Sequence, residues 1–459
     1  MISYLFYLFY FILALSPLYL LMSKKTAINI LYPLLFSAQF NVTQFLKIGI
    51  TISFFELTLI TSLIGLILSS YKNGNITEII SSIKIKKHDK IWFYFLILSF
   101  LSIIISCLRV FLENLNPDPK MSPVFFLRSL MSLNKFFFYL PIFYLIINFL
   151  SAYYENEIIN KTYLKSMAFA GILPALSVII QYSGIGFILL HNNSSYSESF
   201  RMEDYLGARP VGLTNEASFF VYQLFFCTLA LYYSNLRCLI KNKHYYFLLF
   251  LFILAVILSL SRTGLLVYSL FFMLVWFRKT KLLSFKSFVR AIIILPLIIG
   301  FIAILARLNV GNLNIGSHFL SAFNYSSDLS TLERYGSSEA LFNLFKSKGL
   351  LFGVGIYNYQ YYIKDFLPAY MSIFHYEPGI APASFNFIIQ LFAELGFIMT
   401  VFFFVKSYFT IYKPYIDSFI KDWFLFLIIF SFSFQILNFA VPFLIILYLP
   451  ANEKYSIYN

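Results

Sequence analysis

The chain has 459 residues, of which 60% are hydrophobic and 12% charged, and its mean hydropathy is +0.79. Soluble domains carry about a quarter charged residues, so a water-soluble fold is excluded. The net charge of +14 sits mostly in short clusters between apolar runs, which marks membrane topology beside anionic lipid and not nucleic-acid binding.

A helix that crosses a bilayer needs about 20 mostly apolar residues. Such runs are predicted at 4–21, 27–40, 48–70, 91–111, 124–150, 163–189, 217–233, 245–260, 263–277, 291–306, 384–405 and 423–449. The second and tenth are short. The last reads as one tilted helix or a broken pair, with Asn438 and Pro442 near the break. The predicted fold is all-α: one integral membrane domain over 1–459 with about 12 (11–13) transmembrane helices. The first run lacks a basic start and a small-x-small cleavage site, so it reads as a helix and not as a signal peptide.

Basic clusters follow in nearly every second loop: Lys24-Lys25, Lys84 to Lys90, Arg237 to Lys243, Arg278 to Arg290, and Lys406 to Lys421. Those loops are expected on the cytoplasmic side, with the N-terminus outside. Cys107, Cys227 and Cys238 form no disulfide framework or metal-ligand pattern. No cofactor and no metal are expected.

Three arginines run against the charge bias, because this topology puts Arg209, Arg262 and Arg334 outside. Arg209 and Gly212 precede a helix whose N-cap is Thr214 or Asn215, and Arg262 opens a helix capped by Ser261. Free N–H groups at helix N-termini attract phosphate, and an adjacent Arg adds bidentate bonds. The plain alternative is an interfacial anchor snorkelling to headgroups.

Arg334 lies in a long external loop, 308–383, and loops of that size are usually functional. Ser330-Thr331-Leu332-Glu333 fits a capping box. Leu341, Leu344 and Phe345 follow at helical spacing, Lys346 and Lys348 fall in the last turn, and Gly349 suits a C-cap. Arg334 is then in the first turn, where a cation opposes the helix dipole. Gly353-Val354-Gly355 permits a tight turn, a close backbone approach or a phosphate cradle.

Glu216 can complement the dipole of its helix, pair with Arg209, or act as a general base on a sugar hydroxyl. Glu394 is an acid inside an apolar run, costly unless paired. Asn386 stands near the outer end of the same run, and His375 lies in the long loop.

These segments, in this order, resemble the O-antigen polymerase (Wzy-type) and O-antigen ligase superfamily over about residues 40–450. The likeness rests on Arg209 to Ala217 before a membrane helix, Leu258 to Leu266 with its Ser-Arg-Thr-Gly turn, Arg334 followed by Gly353-Val354-Gly355, and Ser384 to Gly396. The resemblance implies a GT-C-like, metal-independent glycosyltransferase in the bacterial inner membrane with its site facing the periplasm. It also implies a substrate, an oligosaccharide on undecaprenyl pyrophosphate, and a chain-length regulator and a flippase as partners. Arg209 and Arg334 would hold the pyrophosphate, Glu216 would join them in catalysis, and Arg262, Gly212, Gly353, Gly355, Asn386 and His375 would bind substrate. Ligase-type members carry His immediately before the Asn that opens the late helix. Here that position is Phe385, which favours a polymerase over a ligase. A lipid-linked oligosaccharide flippase is the non-enzyme alternative; it would show matching halves, and no internal repeat is evident.

Overall fold

The structure is a computed structural model that describes residues 2–22, 27–39, 44–48, 50–73, 90–112, 133–182, 214, 217–259, 261–279, 309–310, 313–314, 329–374, 384–411, 417–433 and 441–448. The chain forms two compact units, one of residues 1–72 and 158–327, the other of 73–157 and 328–459. The predicted run at 291–306 lies outside the described residues.

In the first unit α1 (Ile2–Met22) packs against α3 (Phe54–Asn73), where Gly65 leaves room for Leu21 and the Pro17 carbonyl. Between them come a 3-10 turn (Ala27–Ile30), α2 (Leu31–Ser37) and an antiparallel hairpin of β1 (Gln44–Ile48) and β2 (Ile50–Ser53). Two predictions are corrected here. Ala27–Ser37 spans about 16 Å, half the hydrocarbon core. The run at 48–70 begins as a strand, because Ile and Thr at 48 and 50–52 favour extended backbone. Helix α3 starts only at a capping box: the Ser53 amide donates to Glu56 Oε2 at 2.8 Å, and the Glu56 amide donates to Ser53 Oγ at 3.2 Å.

The same unit continues with α6 (Asn156–Ala170), α7 (Ile172–Tyr182), α8 (Ala217–Leu236), α9 (Asn242–Leu258) and α10 (Arg262–Lys279). Helix α8 is apolar on every face and almost wholly buried, as the central helix of a bundle must be. Two glycines bring neighbours close to it. A Cβ on Gly171 would stand 2.9 Å from Cys227, and one on Gly264 would stand 2.7 Å from Val221. A second small hairpin, β3 (Asn309–Val310) with β4 (Leu313–Asn314), follows. The chain is predominantly helical, as predicted, with two short hairpins beside the helices among the described residues.

The second unit holds α4 (Lys90–Leu112), α5 (Asn134–Tyr153), α11 (Leu329–Leu344), α12 (Phe387–Ile411), α13 (Ser418–Ser431) and α14 (Val441–Leu444). The predicted run at 423–449 is therefore a broken pair. Asp417 caps α13, its Oδ1 accepting from the Phe419 amide at 2.9 Å while Oδ2 accepts from Tyr448 Oη at 2.6 Å. Among the described residues, five helices are long and apolar enough to cross a membrane, and five shorter apolar helices accompany them.

Candidate functional site

Helix α11 begins at Leu329, one residue before the expected N-cap, so Ser330 lies within the helix and Arg334 falls in its second turn. Its C-terminus also departs from expectation. The chain passes into a π turn, Phe345–Gly349, and Leu350 follows with φ −55°, so Gly349 adopts no left-handed cap. Gly349 is needed instead for proximity: a Cβ there would meet the Phe392 carbonyl at 3.2 Å and the Ala393 carbonyl at 3.3 Å.

Arg334 is half-buried, and its guanidinium Cζ lies 4.8 Å from the centroid of the Phe385 ring. Its carbonyl accepts from Ser337 Oγ at 3.1 Å and Ser338 Oγ at 2.8 Å. Gly336 lets the helix sit on the 3-10 turn Ala369–Phe374, where a side chain would strike Met371. Tyr370 Oη donates to Glu339 Oε2 at 2.6 Å across the same contact. These bonds hold α11 so that Arg334 meets the entry to α12.

That entry is capped by Asn386, whose Oδ1 accepts from the Ile389 amide at 3.1 Å. One turn further, Gln390 has no solvent exposure, and neither end of its amide is hydrogen-bonded. An unsatisfied buried amide of this kind costs about 1–3 kcal/mol.

Helix α12 breaks at Gly396, with φ +81° and ψ 172°, a conformation open to glycine and strained for other residues. The break is sharp. Thr400 Oγ1 donates to the Leu391 carbonyl at 3.0 Å, and Leu391 lines the same apolar groove as Ser407. In a straight helix those last two would be about 24 Å apart.

The segment after α11 docks into this break. The Val354 amide donates to the Ala393 carbonyl at 3.0 Å, and the Gly355 amide donates to the Glu394 carbonyl at 2.9 Å. Carbonyls at the end of a helical arm need such outside partners. Gly353 lies so close that a Cβ would stand 2.6 Å from the Ala393 carbonyl oxygen and still closer to Glu394. Gly355 takes a left-handed φ of +98°. The two glycines therefore serve a close backbone approach, and two amides of the Gly-x-Gly segment are already donating to α12. Glu394 is fully buried and partnered, its Oε1 accepting from the Tyr359 amide at 3.4 Å. Burial, and then the Glu394 carboxylate, push the nearby Tyr357 phenol well above its usual range.

Helix α4 locks the docked segment from its other side. Ser102 Oγ donates to the Glu394 carbonyl at 3.0 Å and accepts from the Ile356 amide at 3.2 Å, and Ser106 Oγ donates to the Val354 carbonyl at 2.6 Å. Arg109 Nη1 donates to the carbonyls of Lys348, Phe352 (3.0 Å) and Gly353 (3.4 Å). Sequence reasoning missed Arg109, although an arginine near the end of an apolar run is the same signal that flagged Arg262.

In the other unit, Arg262 opens α10 as expected, with Ser261 as cap: the Gly264 amide donates to Ser261 Oγ at 3.2 Å. Arg209, Gly212, Glu216 and His375 lie outside the described residues. The structure thus brings Arg334, Phe385 and Asn386 together, with Gly353 and Gly355 set against the break in the same helix.

No curated protein and no solved structure matches the chain. Residues 247–404 match the family model Wzy_C, described as O-antigen ligase. That stretch takes in Arg262, Arg334, Gly353, Gly355, Asn386 and Gly396, while Arg209 precedes it. The matched region, about a third of the chain, supports membership of the O-antigen ligase and polymerase superfamily.

Proposed function

We propose that the chain is an oligosaccharide repeat-unit polymerase. It transfers the growing glycan from undecaprenyl pyrophosphate to the next lipid-linked repeat unit, at the periplasmic face of the inner membrane. The observation that carries this reading is the contact of Arg334 with Phe385 at the capped start of α12. Arg334 binds the diphosphate of the donor. As the bond from the anomeric carbon to the phosphate oxygen breaks, the guanidinium stabilises the charge that develops on the leaving group. The acceptor hydroxyl attacks the anomeric carbon as that bond breaks and its proton passes to the departing diphosphate, so catalysis rests on positioning and leaving-group stabilisation. Phe385 cannot take a proton, so the position at which ligase-type members carry a His supplies no base here.

A ligase reading has one observation in its favour, the description of the matching family as O-antigen ligase. One gel separates the two. Deleting the gene of a polymerase leaves lipid A core bearing a single repeat unit, which is the expected result. A bare core would overturn the polymerase reading in favour of a ligase or a flippase, and an unchanged ladder would overturn all three.

A further inference from the structure

We propose that Gln390 is a sugar-recognition residue whose side-chain amide hydrogen-bonds a hydroxyl or acetamido substituent of the repeat unit next to Arg334. This rests on the reading of the chain as a glycan transferase. Gln390 follows the Asn386 cap by one turn, its backbone N–H donating to the Asn386 carbonyl at 3.0 Å. Its side chain is fully buried, with neither Nε2 nor Oε1 hydrogen-bonded. A primary amide offers two donors and an acceptor, and folded chains rarely leave such a group unused in their interior.

The neighbouring positions show where Gln390 stands. Ile389 and Ala393 pack into the core beneath α11. Phe387 and Leu391 line the apolar groove shared with α4 and α13. At about 100° per residue, Gln390 falls between these two faces, on the side of Asn386 and Glu394. Phe385, under the Arg334 guanidinium, comes just before the Asn386 cap, and Gln390 lies one turn, about 5–6 Å, along the helix axis from that cap. A sugar joined to a diphosphate at Arg334 spans a distance of that order.

The chemistry of the amide selects among the parts of a lipid-linked glycan. A prenyl or acyl tail offers no hydrogen-bonding atom. A phosphate accepts from Nε2 but has nothing to donate to Oε1. Hydroxyl and acetamido groups both donate and accept, so either satisfies both ends. Because the amide is enclosed, the contact forms by induced fit as the repeat unit enters.

The test uses the full-length chain in lipid nanodiscs, with transfer measured on a lipid-linked repeat unit and thermal unfolding measured in parallel. Gln390→Leu and Gln390→Met are expected to keep or raise the unfolding midpoint, because they remove an unpaired buried amide. They are also expected to lower kcat/KM at least about tenfold, mainly through KM for the repeat unit. Unchanged kinetics would overturn the proposal. So would a lowered midpoint or failure to accumulate, since either means that the amide supports the fold. Arg334→Ala, run alongside, separates the two levels. Fully active Gln390 variants beside an inactive Arg334→Ala sink only the Gln390 proposal, whereas a fully active Arg334→Ala sinks the transferase reading itself.

Discussion

Arg334 and Phe385 lie 51 positions apart in sequence, yet the Arg334 Cζ sits 4.8 Å from the Phe385 ring centroid. A guanidinium over an aromatic face gains about 0.5–2 kcal/mol. Arg334→Ala should abolish long-chain polysaccharide while the protein still inserts. Arg334→Lys should also fail, because a point charge does not reproduce a bidentate fork. A gel of the product glycan beside a membrane blot checks both; a normal ladder in the Lys variant would mean that charge alone suffices.

Asn386 has a structural duty, the α12 cap, and an expected one, substrate binding. The two separate by substitution. Asn386→Asp keeps a capping oxygen, and Asn386→Ala loses it at about 1 kcal/mol. If the cap is the whole role, Asp retains both the unfolding midpoint and activity. Loss of activity in the Asp variant at an unchanged midpoint assigns substrate contact to the amide.

Gly353→Ala should be damaging, because the added Cβ meets backbone atoms of α12 that cannot rotate away. Overpacking of this kind costs about 1–3 kcal/mol, and the docked segment should lift from the break. Faster proteolysis near residues 350–358, with a lowered midpoint, is the expected readout. A wild-type midpoint would show that the two segments are not in close contact.

Ser53 and Glu56 cap α3 reciprocally. Ser53→Ala and Glu56→Ala should each cost about 1 kcal/mol. The double variant should cost less than their sum, since each loss already breaks the same motif. Strict additivity in thermal unfolding would mean that the box does not act as a unit. Glycan transfer should be unaffected at matched protein amounts.

The membrane class, most of the helical runs, the Ser261 cap ahead of Arg262 and a helix bearing Arg334 were legible in the chain. The last run was legible only as one tilted helix or a broken pair. These are local properties: the hydropathy of about 20 consecutive residues, or a cap and its third neighbour, decides them. One local signal still misled. Ser330 imitates a capping box inside α11, whereas Ser53 and Glu56 form one.

What the glycines are for was decided only in three dimensions. Gly353 and Gly355 looked like turn or phosphate-loop residues; a Cβ on Gly353 would strike Glu394, some 40 positions away, and one on Gly355 would strike Ser106 of α4, while a Cβ on Gly396 would strike Gly353. The same holds for Arg109, whose carbonyl partners are more than 230 residues distant. Hydropathy is a sum along the chain, whereas a close approach or a shared hydrogen bond depends on pairs of residues that only the folded backbone brings together. The sequence by itself determined that this is a membrane protein, and it singled out Arg334 and Arg262 beside helix starts. Tertiary structure decided that Arg334 faces Phe385, and that the segment docked into the broken helix is held by Arg109, Ser102 and Ser106.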